Sequence, residues 1–438
     1  MAITITDQPT NFAKVGQKLM IVATSTNVAQ PNFRYVVRVT NIGTSEVLPD
    51  VIVPPNSNNV LMFDLSQIVK VWCYPSLFGI TVNSNYIVSD VYWANSDNHN
   101  TLVEIRIDVL EAYDVAGVFT IDEASVVESD NKMIMTAAYT LADGYKPDPN
   151  LAYSYTSTTS LLMGSRKPNT NYPNNLAGAT PSSQRVFIPV RRSELDWGSI
   201  FLVTQKSDAP QNLTTTNNPK VRITLYESDG TPNTVTSDAT VEFYNIMTAM
   251  GCYPANLNFH GELLRPADFP NWRYYEIAMY DSTNTTRKSA LYTFYPVDDD
   301  CTFDNVRLAW WDDVVGGFDF FNFQRKNEIT MEVERKRIKP VVGTYDAATF
   351  SFNTFDAEIK EGMIDAVDYL EVTSGWIQEG EFELLKHLVK SKLVYIVNDD
   401  ATLTPVVMET NSFLVNKERN AKLKSVSFRL RIAQQNIQ

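Results

Sequence analysis

Val103-Glu104-Ile105-Arg106-Ile107-Asp108-Val109 decides the fold class. Charges fall strictly between aliphatic residues, and the apolar positions are filled by β-branched side chains. A strand turns successive side chains to opposite faces, so this alternation describes a half-buried antiparallel sheet. The same period runs through Leu19, Ile21 and Ala23 and through Tyr35, Val37 and Val39. One short helical turn interrupts it, where Asp64 or Ser66 caps a segment placing Leu65, Ile68, Val69 and Trp72 on one face. Residues 1–117 therefore read as an N-terminal β-sandwich with a helical crossover.

From 118 to 197 the character changes. Asn, Ser, Thr, Pro and Tyr crowd together, above all between Lys146 and Arg185, and no period persists. This reads as an extended polar arm or insertion, since a long loop without elements of its own is normally disordered or functional. Strand patterns resume at Ile200 to Thr204, Val221 to Tyr226, Val241 to Ile246, Tyr274 to Tyr280 and Leu291 to Tyr295, with turns such as Ser228-Asp229-Gly230 between them. Residues 198–300 read as a second β-sandwich. In 301–438, Val306 to Trp311 and Phe318 to Phe323 flank a turn ending in Gly316-Gly317, which predicts a hairpin. A helix is predicted over Gln378 to Lys390, with Phe382, Leu385, Leu388 and Val389 in one stripe and Glu379, Glu381 and Glu383 near its positive end. Strands at Leu393 to Val397, Thr404 to Met408 and Val426 to Ile432 complete a C-terminal β-rich domain.

Composition bounds the chemistry. The 438 residues are 44% hydrophobic and 20% charged, enough apolar material for several cores. No run approaches the roughly 18–20 apolar residues of a membrane helix, so no membrane association is expected. The start Met-Ala-Ile-Thr-Ile-Thr-Asp has neither a basic nor an apolar leader segment, so no secretory signal is expected. The net charge of -14 argues against sequence-independent binding to phosphate backbones. The basic run Arg335, Lys336, Arg337 and Lys339 follows Glu332 and Glu334 and is interleaved with Val333 and Ile338, the pattern of a solvated strand face. Cys73, Cys252 and Cys301 lie far apart, which predicts buried, reduced thiols and neither zinc site nor disulfide framework.

Catalytic material is sparse. His99, His260 and His387 belong to no metal-spaced pair, and His387 reads as a tolerated surface or boundary residue of the C-terminal helix. No nucleophile elbow or phosphate cradle occurs, so no cofactor is expected. Asp298, Asp299, Asp300, Asp304, Asp312 and Asp313 lack the spacing of a calcium loop and read as solvated turns. A carboxylate pair for glycoside cleavage needs a fixed separation that sequence does not supply. Trp310, Trp311, Phe318, Phe320, Phe321 and Phe323 crowd one hairpin. Alternate members face opposite sides, so one set fills a core and the other faces a partner subunit, with sugar stacking as the competing use. The candidate assembly interface is Trp310, Trp311, Phe318, Phe320 and Phe321, joined by Tyr153, Tyr155 and Tyr172 of the arm.

Three places in the chain carry a resemblance. They are Ile3-Thr4-Ile5-Thr6-Asp7-Gln8-Pro9 with Gln30-Pro31-Asn32-Phe33-Arg34-Tyr35, then Arg307-Leu308-Ala309-Trp310-Trp311 through Gly316-Gly317-Phe318-Asp319-Phe320-Phe321-Asn322-Phe323, and finally Ser374-Gly375-Trp376-Ile377 through Phe382-Glu383-Leu384-Leu385 and Val394-Tyr395-Ile396-Val397. Together they resemble virion structural proteins of tailed phages infecting Bacteroidetes, including crAss-like phages. The resemblance implies immunoglobulin-like β-sandwich modules in a non-enzymatic component of the tail or of the neck rings around the portal. It implies a homo-oligomeric ring touching other tail and portal-region proteins, made in the bacterial host cytoplasm and residing in the virion. It implies no sequence-specific nucleic-acid binding, and a negative chain lining a DNA conduit would not stick to the packaged genome. The alternative is a tail or head fibre component that binds host glycans through Trp and Tyr.

Overall fold

A computed structural model describes residues 2–9, 12–74, 102–136, 161–163, 185–191, 196, 198–204, 220–238, 246–254, 257, 272–280, 283–285, 287, 291–297, 305–313, 317–325, 327–351, 359–375, 377, 379–400, 402–410 and 425–433. The chain is mainly β, with two short helices among the described residues.

The N-terminal part holds β1 (Ile3–Asp7), β2 (Phe12–Lys14), β3 (Met20–Ser25), β4 (Arg34–Asn41), β5 (Val51–Val53), β6 (Val60–Asp64), α1 (Ser66–Val69), β7 (Leu102–Val115), β8 (Val118–Glu128) and β9 (Lys132–Met135). Sheet β1-β3-β6 faces sheet β2-β9-β7-β4-β5. Between them Ile21, Ala23 and Leu61 of the first meet Tyr35, Val37, Val39, Ile105 and Ile107 of the second, all essentially inaccessible. The period-2 reading of β7 is thus the inner face of a sandwich. The Asp64 carboxylate accepts from the amides of Leu19 and Ser66, which fixes the start of α1. Leu65, Val69 and Trp72 then enter the same core.

The expected boundary at 117 falls inside a hairpin. Ala116 and Gly117 both have positive φ, 53° and 84°, and β8 returns antiparallel along β7, pairing Val115 with Val118. Beyond it, β9 pairs with the start of β7 and runs parallel to β2. Strand β8 is exposed or half-exposed throughout, so its apolar residues follow no sustained inward alternation.

The middle part holds β10 (Leu161–Met163), β11 (Arg185–Arg191), β12 (Ser199–Thr204), β13 (Lys220–Glu227), β14 (Pro232–Asp238), β15 (Ile246–Gly251), β16 (Trp272–Tyr280) and β17 (Leu291–Val297), in sheets β10-β12-β15 and β11-β17-β16-β13-β14. Val221, Ile223 and Leu225 of β13 are wholly buried. This part reaches back beyond the expected 198, because β11 pairs in parallel with β17 from Arg185↔Leu291 to Arg191↔Val297. Pro189 weakens the strand signal there, and β11 occupies the sheet edge, where a missing amide is tolerated. Residues 137–160 and 164–184, more than half of the expected arm, lie outside the described residues.

The C-terminal part holds β18 (Val306–Asp312), β19 (Gly317–Phe323), β20 (Asn327–Ile338), β21 (Thr344–Asp346), β22 (Thr349–Ser351), β23 (Lys360–Thr373), α2 (Glu379–Lys390), β24 (Val394–Val397), β25 (Leu403–Met408) and β26 (Ser427–Ile432). One sheet runs β19-β18-β24-β25-β26-β23-β20. The predicted hairpin is β18–β19, in register from Val306↔Phe323 to Asp312↔Gly317. Helix α2 lies on one face of this sheet, packing Phe382, Leu385 and Leu388 against Trp310, Phe323 and Phe428.

Candidate assembly surface

The structure places the predicted interface aromatics inside the chain. Trp310 and Trp311 are wholly buried, and Phe318, Phe320 and Phe321 are 2–5% exposed, so they present no surface to another subunit. Register explains why both faces are filled. Leu308, Trp310, Phe321 and Phe323 point to the α2 side. Arg307, Ala309, Trp311, Phe318 and Phe320 point to the other, where Phe320 meets the Tyr253 ring at 6.0 Å and Trp311 packs edge-on to Phe318 at 5.4 Å. Sequence reading foresaw the two faces; that both are covered is a tertiary fact. Tyr153, Tyr155 and Tyr172 lie outside the described residues.

On the Tyr253 side, a buried polar strut joins the middle part to the hairpin. The Arg307 guanidinium, 3% exposed, pairs with the wholly buried Asp196 carboxylate. Arg307 also donates to Asn322 Oδ1 at 2.8 Å, while Asn322 Nδ2 donates to Asp196 at 3.1 Å. Asp196 takes a further bond from the Arg191 amide at 2.7 Å, and the Tyr253 ring lies 4.3 Å from the guanidinium carbon. A carboxylate thus receives side-chain and backbone donors together, the condition under which a buried charge is tolerated. Nothing local in the sequence marks this triad, since Asp196 stands 111 residues from Arg307 and 126 from Asn322.

Two residues read as solvent-facing are buried. Asp312 is fully inaccessible and His387 is 8% exposed; the imidazole Nδ1 lies 2.6 Å from an Asp312 oxygen, tethering α2 to the end of β18. The turn reading of Asp312 and the surface reading of His387 fail together, because each becomes buried only by meeting the other across 75 residues of chain. Burial pushes the neighbouring Asp313 carboxyl up from its ordinary range, with the Asp312 charge adding to the effect and Lys392 opposing it. Cys73 and Cys252 are buried and free, as the sequence predicts; desolvation pushes the Cys73 thiol up to about 12. Cys301 lies outside the described residues. No cluster of three or more His, Cys, Asp or Glu suited to a metal occurs among the described residues.

Among the described residues, exposed large hydrophobic side chains are concentrated on the ribbon formed by β20 and β23 and at its tip. The two strands pair from Asn327↔Val372 to Ile338↔Lys360, with a bulge at Lys336/Arg337. Strand β26 accompanies β23 only from Tyr369 to Thr373, so the rest of the ribbon leaves the sheet as two strands and carries β21 and β22 beyond it. Strand β20 is exposed along almost its whole length. The Glu332, Glu334 and Arg335 to Lys339 segment is therefore the solvated strand that its mixed charges predict.

Cross-strand register gives the ribbon two unlike faces. One stacks Ile329 with Leu370, Met331 with Asp368, Val333 with Ala366 and Arg335 with Ile364. This face continues the apolar face that α2 covers, since Leu370 and Val372 belong to the α2 core, but Ile329, Met331 and Ile364 are 72%, 63% and 54% exposed. The opposite face pairs Glu328 with Glu371 and Glu334 with Asp365, and holds Glu332, which pairs with Arg429 of β26. The Arg429 guanidinium also lies 4.0 Å over the Tyr369 ring, which anchors the root of the ribbon to the sheet. At the tip, Val341, Tyr345 and Phe350 are 95%, 71% and 60% exposed. Together these side chains form an exposed apolar stripe along the ribbon and at its tip.

No family model and no curated protein matches the chain. Among solved structures it is similar to the N-terminal four Ig domains of Dscam1 isoform 7.44, at 9% identity and a TM-score of 0.13, over 85% of this chain and 74% of that one. A likeness at that score carries no argument, and the β architecture stands on the sheets described above. No helix among the described residues is long and apolar enough to cross a membrane.

Proposed function

We propose that this chain is a non-enzymatic structural component of a tailed-phage virion, in the tail or the portal-proximal neck, that works by fitting into a symmetric assembly with copies of itself and with neighbouring tail or portal-region proteins. It would be made in the bacterial host cytoplasm and act in the particle. The observation that carries this is the β20–β23 ribbon, which leaves the sheet with both faces open to solvent and an apolar stripe uncovered. Two-stranded ribbons are marginal in water by themselves, so one this long is suited to being clasped by a partner. The resemblance of three segments to virion proteins of Bacteroidetes phages supports the same reading. The glycan-binding alternative depended on Trp and Tyr rings facing solvent, and burial of Trp310 and Trp311 removes its main platform.

The test is replacement of residues 331–368, the part of the ribbon beyond its pairing with β26, by a short turn in the phage genome. The expected result is a folded protein that no longer enters particles. Incorporation at the wild-type level would refute an assembly role for the ribbon, and absence of the wild-type chain from purified particles would refute the virion reading itself.

A further inference from the structure

The apolar face of the ribbon has a charge pattern complementary to itself. Val333 and Ala366 form its centre. Two residues along β20 in one direction lies Arg335; two in the other lies Met331, with Asp368 directly opposite on β23. Neither Arg335 nor Asp368 has an ion pair among the described residues, and both are exposed.

We infer that this face is an isologous contact, on which the ribbon of a second copy of this chain lies face to face and antiparallel. The two-fold axis runs across the strands at Val333. Strand β20 then lies over the partner's β20 and Val333 over its counterpart. Each Arg335 arrives above Met331 and beside the partner subunit's Asp368, at a height of about 10 Å, the usual spacing of packed sheets, which an arginine spans. Two reciprocal ion pairs thus flank an apolar centre of Val333, Ala366, Met331 and Ile364. The parallel stacking has no such benefit: it brings each arginine level with its own counterpart and each aspartate likewise. The charge pattern therefore selects one orientation and disfavours the other.

Area sets the expected strength. Centred on Val333, about nine residues of strand span about 30 Å, and two strands are about 10 Å wide, giving a footprint on the order of 300 Å² per copy. That is the low end for association, below the ~800 Å² per partner of a standard interface. The antiparallel arrangement also returns each exposed tip, with Tyr345 and Phe350, towards the partner's body. The pairing is accordingly reversible in free solution and strengthened where other contacts hold copies close. An isologous contact closes on two copies, so the head-to-tail contacts of a ring would use other surfaces. The inference rests on reading the ribbon as an assembly surface and is independent of placement in a virion.

Sedimentation equilibrium of the full chain over a dilution series provides the test. A monomer–dimer equilibrium is expected. Arg335→Glu alone and Asp368→Arg alone should each weaken it by about tenfold, because like charges then face one another twice. The double variant Arg335→Glu with Asp368→Arg should restore it. A wild-type chain that stays monomeric at every concentration, single reversals that leave the equilibrium unchanged, or a double variant no better than the singles would each overturn the inference. The first of these outcomes assigns the face to a different protein. Failure to pair leaves particle incorporation as a separate result, so the two readings are distinguished.

Discussion

Removing one partner from the Arg307–Asp196 strut isolates a buried charge, and Asp196→Ala does so with a smaller change in volume than truncating Arg307. Arg307 is 3% exposed and Asp196 not at all, so water cannot replace the lost carboxylate without opening the packing around Tyr253 and Phe320. The substitution leaves the guanidinium with Asn322 Oδ1 and two aromatic faces, and deprives the Arg191 amide and Asn322 Nδ2 of an acceptor. Breaking a buried pair from one side costs about 3–5 kcal/mol. The double variant Asp196→Ala with Arg307→Met removes both charges and keeps an apolar chain against the rings. Its cost should fall short of the sum of the two single changes by ~2 kcal/mol or more, as expected for residues in direct contact. Denaturant unfolding followed by tryptophan fluorescence reads this, since Trp310 and Trp311 sit in the same hairpin. If Asp196→Ala costs less than about 1 kcal/mol, or the two changes simply add, the strut does not hold the middle and C-terminal parts together as argued.

Gly198 tests the same junction sterically. A Cβ there would collide with the Tyr253 ring and lie 2.7 Å from Arg307 Nη2, so Gly198→Ala should lower stability by ~1–3 kcal/mol in the same unfolding assay, whereas Gly230→Ala meets no atom and acts only through its φ of +87°. A Gly198→Ala variant as stable as the wild type would contradict this packing. Asp313 tests electrostatics. Burial raises its folded-state pKa above the unfolded value, so the folded chain holds a proton that the unfolded chain releases. Its contribution to stability is therefore most favourable at acid pH and declines as pH rises through the folded value. Asp313→Asn should flatten that decline and raise the melting temperature at neutral pH, with little change in acid; an unchanged pH profile would show that the carboxyl is not desolvated. Asp50 and Glu123 act with the opposite sign. The Arg38 hydrogen bonds at 2.8–3.0 Å hold both below their ordinary range, so their contribution is present at neutral pH and lost as pH falls through the folded values. Arg38→Met should remove that acid-side loss.

The elements legible in the sequence are those with one face in a core. Strand β7, the β18–β19 hairpin and α2 each carry a period that burial imposes, whether 2 or 3.6 residues, and each lies where that period puts it. Strand β8 escaped because it is mostly exposed, with only single residues such as Ile121 and Val127 packed on a core and no sustained alternation, and β11 because Pro189 interrupts a strand that needs no outer partner. Glu111 shows the same limit at a single residue. It is wholly buried yet satisfied by the Asn27 amide at 2.8 Å and the Ser25 hydroxyl, groups more than eighty residues away.

For the ribbon, sequence alone determined that residues 332–339 form a solvated strand, since acidic and basic residues interrupted only by Val333 and Ile338 suit no core. Only the tertiary structure decided that the apolar stripe beside those charges stays bare, and that the aromatics of β18 and β19 do not. Side-chain periodicity states which residues share a face. Whether that face meets a helix, another sheet or water depends on where the rest of the chain comes to lie: α2 reaches Trp310 and Leu370 but stops short of Ile329 and Met331.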